Sequence, residues 1–499
     1  MQTRLPRRLV LAAASVPLAV GYAPPASAAP APARYVVTDL GALGTGDFSV
    51  ATAINNAGVV VGYSNVTPVL VHAFRWADGT LTDLGALPGD GNTSRATAVN
   101  DAGQVAGVSS RASGGFGYTV RWTGGVIQDF GSPNTFQLSF GTGIDPAGRV
   151  VGAQRPPDSR DLHPVRWSAA GAATDLGLPA GAAQAQANGV NVRGQIVGAP
   201  AFVWRSGAFT LLPPLPGANG ATATAINVGG VVVGSSPAVT TNTVHAVRWR
   251  GLAVTDLGTV DGIAFSTATA INAAGQIVGT ADPQCVPCPA PRAWLWDTGT
   301  ITPLDSLIPA GSGWALQQAN GINDRGQIVG AGLHNGQPHA YLLTPRFSAT
   351  VNFQPAGAAV PVGYRADTGA VFGPRGSGLS YGWNADNRAN ARDRNAAASP
   401  DQRYDTLNHM QKPGGATRWD LAVPNGRYTV HVVAGDPVAL DSTFRISVEG
   451  RLAVSGTPTG AARWLEGTVS VIVTDGRLTV ANAAGAVNNK LNYIDVIAG

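Results

Sequence analysis

The sequence predicts an all-β protein: a seven-bladed β-propeller followed by a β-sandwich jelly roll. Three observations predict it. A short motif recurs seven times between residues 54 and 330. Amphipathic helix patterns are nearly absent, while Gly (65 residues) and Pro (35) supply many tight turns. After Pro345 the period stops, and a different strand-rich unit begins.

The repeat is an Ile/Val–Asn/Asp pair followed by a turn and a Gly. It reads Ile54-Asn55 with Gly58, Val99-Asn100 with Gly103, and Ile144-Asp145 with Gly148. It returns as Val190-Asn191 with Gly194, Ile226-Asn227 with Gly230, Ile271-Asn272 with Gly275, and Ile322-Asn323 with Gly326. The Gly spacings are 45, 45, 46, 36, 45 and 51. A second Gly follows four residues later each time, from Gly62 to Gly330.

Each unit divides into four strand-like pieces. The first is small-residue strand leading into the Asn, such as Ala51-Thr52-Ala53-Ile54, suited to the crowded centre of a ring. The second is β-branched, as in Val59-Val60-Val61. Between them, Asn-x-x-Gly reads as hairpin turn chemistry, since Asn tolerates a left-handed backbone and Gly favours it. The third ends in Trp (Trp76, Trp122, Trp167, Trp204, Trp249, Trp296; Leu343 in the last copy). The fourth carries Asp-Leu-Gly, as at Asp83, Asp129, Asp175 and Asp256. Four short strands in about 45 residues is the size of a propeller blade. Tyr35-Val36-Val37-Thr38-Asp39-Leu40-Gly41 is a fourth-strand motif with no blade before it, whereas the seventh copy ends at Leu343 without one. Residues 35–40 are therefore expected to complete the last blade and close the ring, removing exposed edges. An open solenoid is the rival architecture.

These residues resemble the extracellular HAF-repeat family, named for a His-Ala-Phe tripeptide. It is literal at His72-Ala73-Phe74, varied at His245-Ala246-Val247 and His339-Ala340-Tyr341, and loose at His163-Pro164-Val165. The resemblance covers about residues 35–345. It implies an exported repeat protein and no particular activity.

Residues 348–499 are long enough for an independent core. Runs at 349–353, 427–433, 444–448, 468–473 and 491–497 read as strands of a sandwich. Residues 423–436, 444–450 and 489–496 resemble strands of malectin-like, galactose-binding-type jelly rolls. Gly435-Asp436 departs from that pattern, in which an acid directly follows the strand. The resemblance implies carbohydrate binding.

The most polar stretch runs from Tyr381 to Asp405. Tyr381, Trp383, Asn384, Asp386, Arg388, Arg392, Asp393, Asn395, Arg403 and Tyr404 mix flat rings with planar polar groups. Sugars need that mixture, rings for their C–H faces and amide, carboxylate or guanidinium groups for paired hydroxyls. A solvated loop held by its own ion pairs is the alternative reading. Calcium is a further candidate, through Asp386, Asp393 and Asn395, although no known loop spacing is met. No other metal or cofactor is expected. The blade aspartates read as turn caps beside Gly, and the third-strand histidines, one per blade, as packed, hydrogen-bonded core residues. The connections between blades carry Phe48, Phe136, Phe265 and Trp314, which could frame a channel mouth. Cys285 and Cys288 are the only cysteines, too few for a structural zinc, and a local disulfide is expected.

Residues 1–28 read as a signal peptide. Arg4, Arg7 and Arg8 precede the apolar Leu9–Val20, and Ala26-Ser27-Ala28 is a small-x-small cleavage site. Arg7-Arg8 fits both general and twin-arginine export. Export predicts a soluble extracellular monomer with no membrane span. Without the leader, about 30 basic residues face 29 acids, which argues against nucleic acid as a partner. The only glutamates are Glu449 and Glu466, so the repeats lack the paired carboxylates of most glycosidases. The function expected is a non-catalytic, secreted binder of a polysaccharide or glycoconjugate. The alternative is an extracellular polysaccharide hydrolase or lyase that uses the jelly roll for targeting.

Overall fold

The structure is a computed structural model that describes residues 34–89, 92–110, 117–131, 138–156, 159–238, 243–283, 290–376, 378–412 and 415–499. The leader, Phe136 and the Cys285/Cys288 pair lie outside the described residues. The fold is a β-propeller followed by a two-layer sandwich.

Among the described residues, seven four-stranded antiparallel sheets cover the repeats. The first consists of Ser49–Ile54, Val60–Thr67, Leu70–Ala77 and Thr80–Gly85, in that spatial order. The next five span 94–129, 139–175, 186–211, 222–258 and 266–303. The seventh consists of Trp314–Ile322, Ile328–His334 and Gln337–Pro345, and its outer strand is Tyr35–Asp39 from the other end of the repeats. Tyr35 lies opposite Pro345 and Asp39 opposite Tyr341.

The small residues of each innermost strand have a specific cause. Each of these strands has a β-bulge at the same place, between Ala51 and Ala53 in the first sheet and between Ala319 and Gly321 in the seventh. The bulge drives a carbonyl toward the second strand. A Cβ on Gly62 would overlap the carbonyl oxygen of Val50, and one on Gly330 that of Gln318. The second Gly of the motif is therefore a steric demand of the bulge.

The bulged residue then stitches neighbouring sheets together. Thr52 Oγ1 donates to Ala96 O of the next sheet at 2.9 Å, and Thr97, Thr142, Thr224 and Thr269 repeat the contact. Asn188 and Asn320 replace Thr with an amide donor, and Asn320 Nδ2 reaches Ala51 O of the first sheet at 2.9 Å. The ring is thus closed by hydrogen bonds running in one rotational sense.

The motif Asn forms a second belt. Its role differs from the expected one: the left-handed residue of each turn is the Gly (φ +73° to +89°), while the Asn is buried. Asn55 Nδ2 donates to Asn100 O, and Asn100, Asn191, Asn227, Asn272 and Asn323 each donate to the next sheet, the last to Asn55 O at 3.0 Å. The Asp145 side chain has no N–H to give, and its carboxylate instead accepts from Arg149 Nε at 2.6 Å. Asn323→Ala should cost about 2 kcal/mol, because buried backbone partners lose their bonds. Asp145→Asn supplies the missing donor and should stay within about 1 kcal/mol of the parent. Urea unfolding compares them, and an unchanged midpoint for Asn323→Ala would show that the belt adds no stability.

In the sandwich, a five-stranded sheet packs on a six-stranded one. The five-stranded sheet holds Ser348–Phe353, Gly426–Gly435, Trp464–Val473 and Tyr493–Ala498, with Arg365–Asp367 parallel at its edge. Phe353, Trp383, Trp419, Val430, Val432, Ile446, Val480 and Ile494 fill the interior. The Asp367 carboxylate is buried among them. It accepts Trp383 Nε1 and Trp419 Nε1, both at 2.8 Å, and the Gly369 N–H at 2.7 Å. Burial raises its pKa.

Candidate functional site

The ten sandwich residues singled out from sequence do not form one site. Tyr381 and Trp383 lie on the strand Ser380–Trp383 and face the core, so they cannot serve as platforms for a sugar. Tyr381 Oη donates to Ala366 O at 3.0 Å. Asn384 is exposed and accepts the Arg418 N–H through its side chain. Asp386 and Arg388 pair with each other at 2.8 Å in solvent. Arg392 donates to the carbonyls of Ala389 and Ala391. These residues match the alternative of a loop held by its own bonds.

The calcium reading fares no better. Asp386 is taken by Arg388, and Asp393 turns to Asp405, whose adjoining carboxyl helps raise its pKa after burial. Asn395 sits in the left-handed region (φ 47°) and gives its backbone N–H to Asp393 Oδ1 at 3.3 Å.

Arg403 and Tyr404 do join a coherent cluster. Strand alternation turns Val430, Val432, Ile494 and Val496 inward and His431, Tyr493 and Asp495 to the other face of the five-stranded sheet. There Tyr493 packs edge-on to Tyr404 (5.3 Å) and Tyr364 (5.7 Å), and Tyr404 packs edge-on to Trp464 (5.5 Å). The Arg403 guanidinium lies 5.1–5.7 Å from the centres of Tyr364, Tyr404 and Tyr493. Asp401 pairs with it at 2.7 Å. Tyr493 Oη and Tyr404 Oη are 2.8 Å apart. His431 faces Glu466 (3.3 Å) and Asp495 (3.6 Å). The Asp495 hydrogen bond raises the His431 pKa, and burial pushes the Tyr364 hydroxyl up to about 12. The patch therefore offers the partly exposed rings of Tyr364, Tyr404 and Trp464, with Tyr493 buried beneath them, a guanidinium and partly exposed carboxylates. Sequence inspection missed Tyr364, His431, Trp464, Glu466, Tyr493 and Asp495 because they lie far apart along the chain. Period-two alternation in 426–435 and 493–498 was the available signal.

A cleft of about 550 Å³ lies elsewhere on the sandwich, lined by Gln411, Lys412, Asp441, Ala486, Val487 and Asn488. Buried Lys490 is close by, paired with Asp436 at 3.1 Å and Asp441 at 3.0 Å. His409 Nδ1 is 2.9 Å from Asn488 Oδ1. Burial, with Lys412 and Lys490 adding repulsion, lowers its pKa from 6.5 to about 4. The unfolded chain thus binds this proton first as pH falls. The stabilising effect is full above pH 6.5 and is lost toward pH 4. His409→Gln should flatten that limb of a stability–pH curve, and identical curves would refute the assignment.

On the propeller, the histidines and aspartates pair with each other on adjacent strands. His72, His163 and His245 each place Nδ1 2.8 Å from Asp83, Asp175 and Asp256. The same aspartates accept the N–H of the Gly two residues on, as expected of turn caps. The histidines are hydrogen-bonded, as the sequence suggested, but to the outer strand and partly exposed, where packed core positions were expected. Two of the inter-blade aromatics are used locally: Phe48 meets Tyr63 at 6.0 Å, and Trp314 stacks on His334 at 4.7 Å. A recess of about 230 Å³ at the ring centre is lined by the motif Asn residues, whose amides are largely committed to the belt.

No protein-family model matches the chain. No curated protein matches it either. Among solved structures it is similar to streptogramin B lyase, at 12% identity over 62% of this chain and 98% of that one (TM-score 0.41). It is also similar to oligogalacturonate lyase from Vibrio parahaemolyticus, at 10% identity over 62% and 93% (TM-score 0.38). A structural-genomics protein of Bacillus subtilis is similar at 21% identity over 31% of this chain, which spans 40% of that protein (TM-score 0.23). Among the described residues, no helix is long and apolar enough to cross a membrane.

Proposed function

We propose that the protein is an exported, non-catalytic carbohydrate binder. The propeller is the scaffold, and the patch around Arg403 holds a polysaccharide or glycoconjugate. One observation carries this reading: Arg403 stands among Tyr364, Tyr404 and Tyr493, with His431, Glu466 and Asp495 on the same sheet face. Rings take the apolar face of a pyranose, and the ionic groups take hydroxyl pairs. The HAF-repeat resemblance supports export, and the malectin-like resemblance supports carbohydrate binding.

A glycan array and affinity electrophoresis with the full chain test it. Tyr364→Ala should weaken binding about 10-fold, or about 1.4 kcal/mol, while Asp386→Ala should leave it unchanged. Equal loss in both variants, or no binding to any plant or microbial polysaccharide, overturns the assignment. Reducing-sugar release on the same polysaccharides separates a binder from the alternative hydrolase or lyase.

A further inference from the structure

The seventh sheet differs from its sisters at one place. In three other sheets, a single His faces the outer-strand Asp. In the seventh, two do. His339 Nδ1 lies 2.9 Å and His334 Nδ1 2.7 Å from Asp39 Oδ2. His339 occupies the repeat's own histidine slot. His334 is extra: it stands four residues after Gly330, where the first, third and fifth repeats have Val66, Pro156 and Ala238. The three candidate ligand atoms all lie within 4.8 Å of one another, and among the described residues this is the one His/Cys/Asp/Glu group of three that converges so. Trp314 stacks flat on His334 (4.7 Å between centres, 2° between planes) and fixes its ring. The Gly41 N–H donates to Asp39 Oδ1 at 2.8 Å and orients the carboxylate. All three side chains remain 22–29% exposed, so an ion has access.

We propose that Asp39, His334 and His339 form a binding site for a divalent transition-metal ion such as zinc, nickel or cobalt. Two imidazoles and one carboxylate suit these ions better than calcium or magnesium, which prefer oxygen donors. Each neutral imidazole moves its proton from Nδ1 to Nε2 and offers Nδ1 to the metal. The separations of 2.7–2.9 Å need only widen slightly to surround an ion at about 2.0–2.2 Å from each ligand, leaving a fourth position for water. The ligands come from residue 39 and from residues 334 and 339, so the ion would clamp the two ends of the repeat array where the ring closes. Metal bound only to the folded state raises its stability.

The test is a cobalt titration of the untagged full chain, followed by visible absorption and equilibrium dialysis. The expected result is one equivalent bound, with tetrahedral d–d bands and a raised melting temperature. His334→Phe keeps the ring stacked on Trp314 but removes the ligand. It should fold, weaken binding by about 10–100-fold and abolish the thermal shift. His72→Phe, at the single-His pair of the first sheet, should change neither. Binding that survives in His334→Phe, or a parent that takes up no stoichiometric cobalt, nickel or zinc, overturns the site and leaves a carboxylate shared by two hydrogen-bonded histidines.

Discussion

Deleting residues 34–40 should abolish the cooperative unfolding of the propeller, whereas truncation after residue 346 should leave the ring folded. The strand Tyr35–Asp39 does more than cover an edge. Tyr35 is buried in the cluster that includes Val278, Leu295 and Leu316, and Leu40 in the cluster that includes Ala51, Phe74 and Val329. The segment therefore belongs to the cores shared with the sixth and first sheets while pairing within the seventh. Burying two large side chains contributes roughly 1.5–3 kcal/mol each, and the ladder and the Asp39 contacts add more. The total is about 5 kcal/mol or above, which approaches the whole stability of a typical domain. Calorimetry of both truncations decides the matter. A sharp transition in the N-terminal deletion at the parent's temperature would refute the closure role.

The second large effect belongs to Asp367. Asp367→Asn should destabilise the sandwich by about 2–4 kcal/mol, and Asp367→Ala by at least as much. The carboxylate receives three N–H donors, from Trp383, Trp419 and Gly369, on its two oxygens. An amide offers one oxygen and turns N–H toward N–H at the other position. The two indoles also pack edge-on against Phe353 at 5.8 and 5.4 Å, so a displaced tryptophan disturbs the centre of the core. Tryptophan fluorescence during denaturation measures it. Parent-like stability in Asp367→Asn would mean that the indoles have other partners.

The repeat was legible in the sequence because it rests on local, recurring constraints. The bulge needs small residues, its neighbour needs Gly62 or its equivalents, and the turn needs Gly58 or its equivalents. The unpaired motif at 35–40 likewise pointed to its place beside Gln337–Pro345. The purpose of the Asn was not legible, because its partner lies about 45 residues away on another sheet. His334 is not legible for the same reason, since its partner Asp39 lies at the other end of the repeats. In the sandwich, the polar run 381–405 suggested a site by composition. Yet Tyr381 and Trp383 fall on a strand whose register turns them inward. Tyr364, Trp464 and Tyr493 meet Arg403 and Tyr404 only through the sheet order.

The outer strand of the seventh sheet also imposes an order of events. Tyr35–Asp39 is the first strand of the repeat region to be synthesised, and its partner Gln337–Pro345 is the last. Until some 300 further residues have emerged, that strand has no permanent neighbour, and closing so long a loop is slow. The intermediate sheets can fold one against another as they appear, so the final docking of the two ends is the step expected to limit the rate. The exposed strand is then the point most open to mispairing, within one chain or between two. Supplying it late, by circular permutation that moves 34–46 behind residue 345, should speed refolding without changing the finished ring.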